Sequence, residues 1–231
     1  IIAIATPSAV AAATAADGDI PVVYCAVTDS TVMANYENIT GSSDIPNFEK
    51  QLEVVTAFMG QSDLKIGVLY STEESSSPFQ VEQLKKAAEA YDGMQIFDSV
   101  VSDITTIDTK TNELINRGVD CFSNLTDNNV VENLSVLLHV TDEAGIPVFG
   151  SEVEQVVNGC LATQGIDYVE VGRAAGLMAA KILNGESDPA DMAVLEISEV
   201  TPAYNSEVAA RLGLTLPADY ADATDVTKSA E

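Results

Sequence analysis

The chain is short of positive charge: ten Lys and Arg stand against 36 Asp and Glu, a formal net charge of -26. A surface of that sign repels phosphate backbones and anionic headgroups and gains no counterion-release energy from them, so nucleic acid and membrane surface are poor partners. Acidity of this degree fits a salty habitat and a soluble secreted protein equally well. Cysteine is scarce too. Cys25, Cys121 and Cys160 are odd in number, far apart and without C-x-x-C spacing, which argues against a disulfide scaffold or zinc site and for small buried hydrophobes. No apolar run approaches the about 18 residues of a membrane span. There is neither an initiator Met nor a cleavable signal, so whatever targets the chain is expected to have been removed or to lie outside this sequence. The single histidine, His139, sits mid-helix in SVLLHVTDEAG with no second His or Cys at ligand spacing, which leaves no metal or catalytic role for it. G-x-S-x-G, G-x-G-x-x-G and G-x-x-x-x-G-K-[ST] are all missing, and phosphate-cofactor enzymes lose support. No catalytic residue, metal or cofactor is expected.

What is present is a core and a rhythm. The 231 residues are 46% hydrophobic, enough for one large domain or two lobes with real cores. Short apolar runs (IIAIA, IPVVYCAV, KIGVLY, MQIFDSV, VDCFSNL, IPVFG, LATQG) are separated mostly by helical patterns, among them NFEKQLEVVTAFMG, PFQVEQLKKAAEAYDG and NVVENLSVLLHVTDEAG. Strands alternating with helices imply βαβ units and parallel sheets covered on both faces. After Asp167 a helix puts Val171, Ala175, Met178 and Ile182 on one face and stops at Asn184-Gly185. The segment TDSTVMANYENITGSSDIP, about twenty residues with little periodicity, reads as a crossover between two lobes. From Ala218 the chain is polar and acidic and is expected to fray.

Ligands of open parallel sheets bind beyond the carboxyl ends of the strands, where helix N-termini present free N–H groups. The residues expected there are Thr6, Pro7 and Ser8; Thr28 and Asp29; Ser43 and Asp44; Tyr70, Ser71 and Thr72; Thr126, Asp127 and Asn128; and Ser151 and Glu152. Proline in a first helical turn flanked by Thr and Ser makes an anion cradle, because orphan N–H groups and hydroxyls share one spot. Carboxylates suit an ammonium, and Asp127 and Glu152 are expected to neutralise it. Together the residues describe a zwitterion site, for something like a free amino acid. Tyr70 and Phe79 are the aromatics placed to approach it, against the alternative of a buried hydrophobe. Singly, each residue also has a plain reading: Thr6, Thr126 and Ser151 as caps, Asp44 and Asp127 as first-turn acids.

The stretches IIAIATPSAV, IPVVYCAVTD, NITGSSDIPNFEKQLE, KIGVLYSTEESS, LTDNNVV and IPVFGSEVEQVVNGCLATQGIDYVEVGRAAGLMAAKILNGE resemble, in order and over most of the chain, the substrate-binding proteins of ABC transporters in the tryptophan/tyrosine-binding group. The segment after Asp29 is shorter than the family's usual version. The resemblance implies a two-lobed type I periplasmic-binding-protein fold, α/β with parallel sheets flanked by helices and a ligand cleft between lobes. It places residues 1–43 and 166–186 in an N-terminal lobe, 44–165 and 187–220 in a C-terminal lobe, and 221–231 in an acidic tail. It also implies two further βα units before Ile1, roughly 60 residues, so that the first lobe is incomplete and the chain N-terminally truncated. In function it implies a bacterial extracytoplasmic receptor, periplasmic or a cell-surface lipoprotein, that closes on an amino acid, aromatic for preference, and passes it to ABC permease subunits. The alternative is the effector-sensing domain of a transcription regulator, which uses the same fold.

Overall fold

The structure, a computed structural model, describes residues 1–196 and 200–227. Residues 228–231 of the expected tail and 197–199 of the expected returning segment lie outside the described residues. Along the chain run β1 (Ile2–Ile4), α1 (Thr6–Ala16), β2 (Val22–Cys25), β3 (Ile39–Ser43), α2 (Phe48–Met59), β4 (Lys65–Ser71), α3 (Ser77–Ala88), β5 (Gln95–Val101), α4 (Ile107–Asn116), β6 (Cys121–Ser123), α5 (Asn128–Glu132), α6 (Leu134–Ala144), β7 (Val148–Phe149), α7 (Val153–Val157), β8 (Ala162–Ile166), α8 (Tyr168–Leu183), β9 (Leu195–Glu196), β10 (Val200–Tyr204), α9 (Ser206–Arg211) and β11 (Thr224–Asp225). The architecture is α/β with parallel sheets flanked by helices.

Local chemistry sets the element ends. Asn47, Asp127, Asp167 and Asn205 cap α2, α5, α8 and α9 by accepting first-turn backbone N–H groups. Gly60 and Gly145 end α2 and α6 in the left-handed conformation. The pattern expected for α8 holds: Val171, Ala175 and Met178 are buried, and the helix stops at Asn184 with Gly185 at φ 70°.

The chain divides into two compact units, Ile1–Pro46 with Ile166–Glu199 and Asn47–Gly165 with Val200–Glu231. In the first unit the strand order is β1-β2-β3-β9, all pairs parallel. Alternation along the strands serves two layers: Ala3 and Tyr24 pack with Ala9 and Ala13 of α1, whereas Val23 and Cys25 pack with Val171, Ala175 and Met178 of α8. In the second unit β5-β4-β6-β7 form a parallel sheet. The hydrogen bonds Leu161 N to Val148 O (2.7 Å) and Gly150 N to Ala162 O (3.0 Å) carry it on to β8, and from there to β10 and β11. Period-two burial again splits the core. Ile66, Val68, Cys121 and Phe149 face the α2 and α3 side, and Leu69, Phe122 and Val148 face α4 and α6. All three cysteines are free and buried, and burial pushes their thiols up in pKa.

Five expectations change. The irregular crossover contains a strand, β3, whose ITGSS sequence shows no apolar alternation because it is enclosed by β2, β9 and α8 and buries its hydroxyls. The segment 187–196 belongs with the first unit and not with the second lobe: β9 pairs with β3, and Thr40 Oγ1 donates to Met192 O (3.1 Å). Asp44 likewise falls in the first unit. The single helical pattern after Asp127 breaks at Asn133 into α5 and α6. Finally, residues 218–227 of the tail are ordered, since β11 pairs with β10 through Ala203 with Thr224 and Tyr204 with Asp225, and Tyr220 packs on Phe58. No helix among the described residues is long and apolar enough to cross a membrane.

Candidate functional site

Each unit ends its strands in polar groups. In the first, β1 turns directly into α1 through Ala5, whose φ of 67° and ψ of 160° lie in a region that is almost glycine-only. Backbone held in such a region is a mark of functional constraint. No side chain caps α1, so its first-turn N–H groups are left for a ligand or solvent. Thr6 is buried there, and Pro7 and Ser8 are exposed. At the end of β2, Thr28 is buried and its Oγ1 donates to Asp44 Oδ1 (3.0 Å). Tyr168, opening α8, donates its hydroxyl to Asp44 Oδ2 (2.9 Å). Ser43 is fully buried, with a long contact from its Oγ to Thr28 O (3.5 Å). Burial holds the Asp44 carboxyl above its usual pKa, partly offset by the Tyr168 and Thr28 hydroxyls. Asp29 is turned aside: its Oδ1 accepts from Thr31 N and Oγ1, capping a 3-10 turn. The fold therefore brings Thr28, Ser43 and Asp44 together and adds Tyr168, which the sequence reading missed.

In the second unit Asp127 is fully buried, and its carboxylate accepts from Ser71 N (2.7 Å), Ser77 Oγ (2.6 Å) and Val130 N (3.1 Å). Those bonds come from β4, α3 and α5, so Asp127 ties three elements together as the N-cap of α5, in place of Thr126 and not as the first-turn acid of the plain reading. Asn128 donates to Glu74 Oε2 (2.8 Å), and Glu74 is a buried acid at this strand end that was not expected. Ser151 N and Oγ both meet the Gln155 amide, and Glu152 Oε1 accepts from Gln155 Nε2 (3.2 Å). Thr126 donates to Gln80 Oε1 (3.0 Å). Tyr70 packs against the main core, and Phe79 is half-buried in the first turn of α3.

Three buried glutamines, Gln51, Gln80 and Gln155, organise this edge. Gln51 Nε2 reaches Ser123 Oγ (2.8 Å), Gln80 holds Thr126, and Gln155 Oε1 accepts from Asn124 Nδ2 (3.0 Å). A signal for them existed: each is a polar residue in the buried phase of a helix, beside Leu52, Val81 and Val156. Asn124 Oδ1 and Thr163 Oγ1 are buried there without a partner among the described residues.

His139 is exposed on α6, 3.6 Å from Glu143. Among the described residues no group of His, Cys, Asp and Glu could hold a metal ion. The chemistry on offer is hydrogen bonding and charge pairing.

Known proteins resemble this chain over nearly its whole length. A family described as "ABC transporter substrate binding protein" matches residues 1–227. A tyrosine-binding protein of Clostridioides difficile (strain R20291) is 32% identical over 242 residues, spanning 100% of this chain and 69% of that protein. A Streptococcus pneumonia ABC domain solved in complex with L-Trp superposes with a TM-score of 0.85 at 28% identity, over 96% of this chain and 76% of that one. The ligand-free, open structure of a substrate binding protein with adhesive properties from Clostridium difficile gives 0.76 at 32% identity, over 97% and 77%.

Proposed function

The chain belongs to the family of ABC transporter substrate-binding proteins, and on that premise we propose that it is the extracytoplasmic receptor of an importer for a small amino acid with an aromatic side chain. The family is one of binding proteins and not of enzymes. The ligand class is supported by the tyrosine-binding relative and the L-Trp complex, both alike over nearly the whole chain. The observation that carries it within this molecule is the first unit's strand-end edge, where the uncapped start of α1 suits a carboxylate and a buried acid, Asp44, stands two strands away. Thr6 and Ser8 flank the α1 end, and Thr28 and Ser43 flank Asp44. Permease subunits are the protein partners this reading implies. The family match favours the receptor over the effector-sensing domain of a regulator.

Calorimetry of the full chain against the twenty amino acids tests it. Binding of L-tyrosine or L-tryptophan at about micromolar affinity or better is expected. No binding, or a clear preference for an acidic or basic amino acid, would sink the reading.

A further inference from the structure

We propose that Asp44 seats the primary ammonium group of the ligand, with Thr28 and Tyr168 fixing its carboxylate for that contact; the proposal rests on the amino-acid reading above. Asp44 follows β3 and is only 4% exposed. A carboxylate withdrawn from water needs a cation or a full set of donors. None of the ion pairs formed among the described residues reaches it. What it has are neutral donors: the Tyr168 hydroxyl, the Thr28 hydroxyl and its own backbone N–H. A carboxylate offers about four acceptor positions, which leaves one, and leaves the charge unpaired. Burial keeps the Asp44 acid above the usual carboxylate range, as expected of a site short of one cation.

Asp127, the other buried acid at a strand end, is built differently. Two of its three donors are backbone N–H groups locked in place by β4 and α5, and it is 0% exposed. Two of the Asp44 donors are hydroxyls that can rotate, and the residue is 4% exposed. An ammonium arriving there supplies both the missing N–H and the missing charge. An α-hydroxy acid of the same shape supplies only one neutral donor. Asp44 therefore makes the protein select amines over hydroxyls at the α-carbon.

The test is calorimetry at neutral pH on the full chain, with L-tryptophan and L-tyrosine compared with indole-3-lactate and 4-hydroxyphenyllactate. The wild type is expected to prefer the amine by at least about a hundredfold. Asp44→Asn, shown by its thermal melt to be folded, is expected to lose at least about tenfold for the amino acid while hydroxy-acid binding stays within about threefold. Equal wild-type affinity for amine and hydroxy acid overturns the proposal while leaving the amino-acid reading intact, and so does an unchanged preference in Asp44→Asn. Should that variant not fold, the wild-type comparison decides alone. A wild type that binds neither amino acid removes the amino-acid reading and this proposal with it.

Discussion

A carboxylate held by hydroxyls in place of cations makes an acid-sensitive residue, and Asp44 is one. Burial raises its pKa from 3.8 in the folded chain. Between the ordinary value and the raised one, the folded state binds more protons than the unfolded state, so stability falls as pH rises through that window. The cost of the buried charge is absent below the window and fully present above it. The titratable groups facing Asp44 are the Cys25 thiol, which burial pushes up in pKa, and the Tyr168 hydroxyl that donates to it. Asp44→Asn removes the charge and keeps the shape. Its stability relative to the wild type is therefore expected to increase as pH rises from the ordinary carboxylate value through the raised one, read by urea unfolding at a series of pH values; a difference that does not change with pH would refute the assignment. Asp44 itself was legible in the sequence as a strand-end acid. Its burial was not, because burial depends on α8, whose Tyr168 lies 124 positions away.

Elements show the same division between local signal and spatial neighbour. Strands with a clear apolar run, such as β4, were legible, as were the α8 face and its Asn184-Gly185 stop. β3 was hidden because its enclosure on both faces lets Thr and Ser be buried, provided that their hydroxyls find carbonyls. Close approach of elements also sets which glycines are replaceable. A Cβ on Gly165 in β8 would stand 2.6 Å from Glu152 Cα, backbone that cannot turn away, just before α7. Gly172 in α8 would meet nothing within 4 Å. Gly165→Ala is thus expected to cost about 1–3 kcal/mol by overpacking. Gly172→Ala, a helix-interior change in open space, is expected to gain about 0.5–1 kcal/mol. Denaturant midpoints of the two variants measure this, and a shift of the same sign in both would contradict the packing around Gly165.

At the scale of the whole molecule charge dominates. Thirty-six acids and ten bases leave most carboxylates without a cation, and the ion pairs among the described residues are at least partly exposed, worth little each. Self-repulsion of a net -26 therefore opposes the compact state, and salt relieves it. Raising KCl from about 0.05 M to about 0.5 M, which shortens the screening length from roughly 14 Å to about 4 Å, is expected to raise the melting temperature; a melting temperature that falls would mean that specific pairs outweigh the net repulsion.

The sequence by itself determined the layered α/β class, the burial of the cysteines, the charge and the poverty of catalytic motifs, since each is a local or summed property that periodicity and composition carry; the caps it offered, Thr6, Thr126 and Ser151, cap no helix. Tertiary structure alone decided that β9 joins the first sheet, that Gln51, Gln80 and Gln155 bind strand ends, and that Asp44 and Asp127, two similar acids after similar strands, meet different surroundings. Asp127 is locked by two backbone N–H groups and a serine hydroxyl, and Asp44 is held by hydroxyls with no cation beside it among the described residues, because partner identity is fixed by which distant segments topology brings together and not by any repeat along the chain.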